Sequence, residues 1–136
     1  MARLPAEVFP WLVDADKVGQ WMGGLRAYEP LTPGPLVVGT RIRQELDVSG
    51  QSLSWELEVR RLEPPRAATL AFSGSGFKAQ NEYSVVANGT GSSSDVTWVI
   101  SGDTTSFKAK LLAPMVQAKL EEKLDTDLVR LRSLLV

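Results

Sequence analysis

The chain contains neither histidine nor cysteine. Thiol nucleophiles, disulfides, Ser-His-Asp relays and the usual zinc or haem ligands are therefore absent. Any chemistry must fall to carboxylates, tyrosine, lysine, serine or threonine, or the backbone. The residues best suited to meet a polar atom of a small molecule are Gln44, Asn81 and Tyr83, which strand parity puts on an inner face. A buried amide or phenol left unpaired costs about 1–3 kcal/mol, so each must find a partner. That partner is a ligand, a neighbouring side chain, the backbone or water, and the sequence leaves all of these open. The carboxylates are less favourably disposed. Glu82 lies between Asn81 and Tyr83 and so faces outward, and Glu56 and Glu58 share the wet face of their strand. Asp14 reads as a helix cap and Asp16 as a surface charge. Arg41/Arg43 and Arg60/Arg61 read as solvated strand faces, and the glycines form no phosphate-binding string.

The elements that must position these residues follow from periodicity. Pro5 to Trp21 reads as helix, with Pro10 keeping it short or kinked, Asp14 capping a second short turn and Gly23-Gly24 ending it. A strand is expected at Leu25 to Leu31, followed by a proline-rich loop to Pro35. From Thr40 the period is two. Ile42, Gln44, Leu46 and Val48 alternate with charges, and Leu53, Trp55, Leu57 and Val59 do the same across a tight connection at Ser49-Gly50-Gln51. Further strands are expected at Ala67 to Ser73, Phe77 to Ala87 and Asp95 to Ser101. Turns at Gly74-Ser75-Gly76 and Asn88-Gly89-Thr90-Gly91 separate them, and the serines at 92 to 94 form a loop tip. The C-terminus returns to helix: Val116, Leu120, Leu124, Leu128, Leu131 and Leu135 form one apolar stripe, with Lys119, Glu122, Lys123 and Arg130 off it. Pro114 marks a kink or the true first turn, with Phe107 to Ala113 as a looser lead-in.

With 136 residues, 43% apolar and 23% charged, the chain is expected to form one globular domain over residues 1–136. Fifteen basic against sixteen acidic residues leave no surplus of positive charge for a phosphate backbone, so nucleic acid is not an expected partner. No run of residues is long and apolar enough for a membrane span, and MARLPAEVF lacks the apolar region of a signal peptide, so a cytoplasmic protein is expected.

Short helices, an antiparallel meander and one long C-terminal helix are the element order of the helix-grip fold, an α+β architecture. Pro5-Ala6-Glu7-Val8-Phe9-Pro10-Trp11-Leu12-Val13-Asp14 followed by Trp21 resembles the opening of the START-like, or SRPBCC, superfamily. Val38-Gly39-Thr40-Arg41, Glu63-Pro64-Pro65-Arg66, and Leu124 with Asp127-Leu128 and Leu131 resemble its polyketide cyclase/dehydratase-like branch. One departure is that such proteins begin with a strand of about ten residues, for which only Met1 to Leu4 are available here. In the family that strand lies beside the last one, so its loss implies an open edge around Asp95 to Ser101 and permits a homodimer there.

The resemblance implies a cavity between sheet and C-terminal helix that takes a small hydrophobic, lipid- or polyketide-like molecule, with no cofactor and no metal. The expected ligand-binding residues are Trp21, Gln44, Trp55, Phe72, Asn81, Tyr83, Trp98, Leu112 and Met115, with no catalytic residue. The same residues would equally make a filled core, and Trp21 is either part of a cavity mouth or a plug at the end of that core. A cyclase or dehydratase acting by containment, with Tyr83 or a pocket water moving protons, is the enzymatic alternative. A protein-interaction module using the open edge is the third.

Overall fold

Apolar residues in the first helical turns have to be buried together, and they nucleate one end of the molecule. Helix α1 (Pro5–Val13) buries Val8, Phe9, Leu12 and Val13, and a four-residue helix α2 (Ala15–Val18) adds Val18. Pro10 lies inside α1 without ending it. The carbonyl that its missing N–H would have used belongs to Ala6, a residue exposed to water. Asp14 does not cap α2 through its side chain. Its backbone carbonyl instead accepts from the N–H groups of Lys17 and Val18.

The structure, a computed structural model, describes residues 3–48, 50–74, 77–89, 93–104 and 107–135; the side chains of 77, 103–117 and 120 lie outside that description. Six strands follow the short helices: β1 (Leu25–Pro30), β2 (Arg41–Val48), β3 (Gln51–Glu63), β4 (Ala67–Gly74), β5 (Phe77–Asn88) and β6 (Ser93–Thr104). They form one antiparallel sheet in sequence order, a pure meander. Helix α3 (Phe107–Leu134) closes the chain as a single 28-residue helix that runs through Pro114, so Phe107 to Ala113 is not a separate lead-in. This is the helix-grip architecture.

Register carries the inward set across the sheet. Tyr28 opposes Gln44, which opposes Trp55; Leu57 opposes Phe72, which opposes Ala79; Leu70 opposes Asn81, which opposes Ile100; Ala68 opposes Tyr83, which opposes Trp98. Cross-strand partners share a face, so these rows form the wall beneath α3. A bulge between Val59 and Arg61 inserts one residue in β3, which lets both Arg60 and Arg61 face solvent before Leu62 returns toward the core. Gly24 has φ +74°, and a Cβ there would lie 2.3 Å from the Asp47 carbonyl oxygen. Only glycine permits that approach of the α2–β1 turn to β2.

Two edges bound the sheet, β1 and β6. Pro30 is tolerated because β1 is an edge strand. The serines expected in a loop tip at 93 and 94 belong to β6, and Ser94 Oγ donates to the Arg3 carbonyl at 2.7 Å. Arg3 and Leu4 form no strand, and Met1 and Ala2 lie outside the described residues. So do Ser49, Ser75, Gly76, Thr90 and Gly91 of the expected turns. Leu131 on α3 and Leu135 just beyond its end are buried, and Leu124 and Leu128 are half-buried, as the stripe requires; the side chains of Val116 and Leu120 are not among those described.

Candidate functional site

Five of the nine expected site residues meet around one hollow between the sheet and α3. Gln44, Trp55, Phe72, Asn81 and Trp98 line it from the strands, with Leu46 and Ile100; Met22 comes from the turn after α2, and Lys123 and Leu124 from the helix. As bounded by these residues it measures about 20 Å³, enough for about one water molecule. Small-molecule pockets commonly measure about 300–1,000 Å³. A guest larger than water therefore enters this part only as α3 and the sheet draw apart.

The indole donors and amide oxygens of the wall are already paired. Trp55 Nε1 donates to Gln44 Oε1, Gln44 Nε2 lies 3.4 Å from Met22 Sδ, and Trp98 Nε1 donates to Asn81 Oδ1 at 3.2 Å. Among the described residues every fully buried side-chain nitrogen and oxygen has a partner. Of the readings the sequence left open for Gln44 and Asn81, pairing with neighbouring side chains is the arrangement present. Trp55 and Phe72 pack at 4.7 Å between ring centroids, so the wall is an aromatic surface with its donors turned sideways into amides.

Trp21 and Tyr83 flank Trp98 outside the lining of this hollow. Trp21 is fully buried, donates its indole N–H to the Trp11 carbonyl at 2.6 Å and meets Trp98 edge-on at 5.7 Å. This is the plug arrangement. The Tyr83 ring lies 5.4 Å from Trp98 at 31°. Burial first, then the nearby Tyr28 and Asp127, pushes the Tyr83 hydroxyl well above its ordinary value, and burial does the same to Tyr28. Leu112 and Met115 belong to α3, but their side chains lie outside the described residues.

Lys123 is the residue that sequence reasoning misplaced. The helical stripe put it on the solvated side, yet its side chain is only 12% exposed and pairs with Asp127, which is 1% exposed. Asp127 also accepts the Gly23 backbone N–H at 3.0 Å, and Arg130 approaches it at 3.6 Å while donating to the Trp21 carbonyl at 3.0 Å. The charges at 123, 127 and 130 thus join α3 to the α2–β1 turn. Burial lowers the Lys123 pKa from its ordinary value, opposed by the hydrogen bond to Asp127. The available signal was a Lys and an Asp four apart and flanked by leucines, the spacing of a helical ion pair.

Two larger depressions are open to solvent. One, about 360 Å³, lies between α3 and the α2–β1 turn. The other, about 730 Å³, is lined mainly by charged and polar residues that alternate out of phase with the inner wall, among them Arg41, Glu56, Glu58 and Arg60. There Arg41 pairs with Glu56 and Arg60 with Glu58. Ion pairs so exposed are individually weak, and Lys78 lines the same face.

A sheet curled under one long helix, with an aromatic wall between them, defines a helix-grip protein of the START-like kind. The chain belongs to the family described as polyketide cyclase/dehydrase and lipid transport, whose model matches residues 1–136. Solved structures repeat the fold. A Thermus thermophilus protein is 16% identical with a TM-score of 0.78, over 98% of this chain and 90% of its own. A Rhodobacter sphaeroides protein is 12% identical with a TM-score of 0.73, over 99% and 86%. A Mycobacterium smegmatis protein is 15% identical with a TM-score of 0.67, over 99% and 85%. No curated protein matches the chain in sequence. Among the described residues no helix is long and apolar enough to cross a membrane.

Proposed function

We propose that the chain acts as one unit that binds a small hydrophobic molecule between sheet and α3, in the cytoplasm and without covalent chemistry. The observation that carries this is the wall of Trp55, Phe72 and Trp98, whose indole N–H groups are already bonded to Gln44 and Asn81. Such a wall rewards apolar area in its guest. The family description, which spans cyclases and lipid carriers, is consistent with that chemistry. The test is native mass spectrometry of the protein with decan-1-ol, an uncharged chain, beside a denatured control. A 1:1 adduct that disappears on unfolding, and is weakened in Leu124→Trp, which fills the hollow, is expected. Absence of any adduct at millimolar probe refutes the reading.

The cyclase alternative draws less support. Tyr83, with a pocket water one of its two proposed proton carriers, lies next to Trp98 outside the lining of the hollow, and burial pushes its hydroxyl further above neutral pH. Self-association along β6 is a separate proposal, supported by the position of β6 at the sheet edge and by exposed Val99 on it. A dimeric mass by light scattering is expected, and a monomer at working concentration overturns it.

A further inference from the structure

Lys123 borders two spaces at once. It lines the hollow beneath the sheet and also the 360 Å³ cleft between α3 and the α2–β1 turn, where Gly23, Lys119, Asp127 and Arg130 surround it. A lysine carries its charge on a flexible four-carbon stem, so its ammonium can move between such spaces while the stem stays in place.

The charges around it are arranged to permit this. Asp127 keeps the Gly23 N–H and Arg130 if Lys123 moves away, so its carboxylate is not left unpaired. The other acids on the cleft are occupied: Glu122 pairs with Lys119 at 3.3 Å, and Asp47 pairs with Arg26. Both indole donors of the inner wall are bonded to amides, which leaves only the neutral amide N–H groups of Gln44 and Asn81 facing a guest there. An acidic end group therefore meets only neutral donors inside the hollow and a cation at its rim.

Resting on the ligand-binding reading above, we propose that the cleft is the entrance to the hollow and that Lys123 selects the guest: an amphiphile with an apolar chain and an acidic end group. The acid pairs with the Lys123 ammonium at the cleft, and the chain passes Leu124 to lie against Trp55, Phe72 and Trp98. A charge-assisted pair at a partly buried site is stronger than a neutral hydrogen bond, and the half-buried stem supplies contact to the first methylenes of the chain.

The experiment compares decanoic acid with decan-1-ol at neutral pH by calorimetric titration, on the unaltered protein, Lys123→Met and Lys123→Arg, each checked for folding by circular dichroism. The unaltered protein is expected to bind the acid about tenfold more tightly than the alcohol. That ratio should fall to near one in Lys123→Met and persist in Lys123→Arg. Equal binding of both probes to the unaltered protein, or a preference that survives Lys123→Met, overturns the assignment while leaving the hydrophobic site intact. Binding of neither probe refutes the hydrophobic site itself, and the role of Lys123 with it. If Lys123→Met does not fold, Lys123→Met/Asp127→Leu takes its place and must likewise abolish the ratio.

Discussion

Replacing Asp127 by alanine isolates the junction between α3 and the rest of the molecule. The substitution removes a carboxylate that is 1% exposed and takes its bonds from the Gly23 N–H and from Lys123. Breaking one partner from a buried ion pair costs roughly 3–5 kcal/mol, because the other charge is left without compensation. Lys123 is not wholly enclosed, and its stem can carry the ammonium into the cleft, which lowers the expectation to about 2–3 kcal/mol. For a chain of 136 residues, that corresponds to a fall in Tm of roughly 8–12 °C. Urea unfolding followed by circular dichroism gives the free energy directly, with an unchanged m value if the denatured state is unaffected. The companion variant Asp127→Leu/Lys123→Met removes both charges and is expected to recover much of the loss, since well-packed apolar residues replace buried pairs at little cost. A loss below about 1 kcal/mol for the single variant, or a double variant equal to the sum of its singles, would refute the view that this pair fastens the helix.

Gly24→Ala should destabilise the fold by roughly 2 kcal/mol or more, because a positive φ and the Asp47 carbonyl oxygen at 2.3 Å both oppose a Cβ; a change within about 0.5 kcal/mol in urea unfolding, the scatter of surface substitutions, would count against it. The chain has two tyrosines, Tyr28 and Tyr83, and burial raises both above their ordinary value of 10.0. The unfolded chain releases these protons first, so the stability they confer is complete below pH 10 and is lost as pH rises toward the folded values, by up to about 1.4 kcal/mol per pH unit for each. Phenolate absorbance of the buried Tyr83 in an alkaline titration should therefore appear together with unfolding, and ionisation of both tyrosines near pH 10 in a protein with native circular dichroism would contradict the burial of Tyr83.

What was legible in the sequence was whatever a period of two or of 3.6 encodes. Gln44, Trp55, Phe72, Asn81 and Trp98 reach one wall because each sits at inward parity and the meander pairs strands in order. The interruptions were not legible. The extra residue between Val59 and Arg61 leaves no composition signal, and Pro10 and Pro114 lie within helices that a local rule would end. Lys123 escaped for a different reason. A helical wheel assumes that one side meets the core and the other meets water, whereas here the α2–β1 turn covers a second side of α3 and encloses the charges at 123 and 127. Trp21 was ambiguous because a large ring at a junction fits a mouth or a plug, and only its bond to Trp11 distinguishes them.

The placement of the indoles gives the protein its own optical reporter. Of four tryptophans, Trp55 and Trp98 form the wall and Trp21 abuts Trp98, each with its N–H bonded to a protein oxygen. Their emission should be blue-shifted in the resting protein. Any guest that parts α3 from the sheet must disturb Trp55 or Trp98 directly, so occupancy can be followed from intrinsic fluorescence without a label. Trp11→Phe, which removes the one indole remote from the wall, would leave a signal arising almost wholly from the hollow and its support.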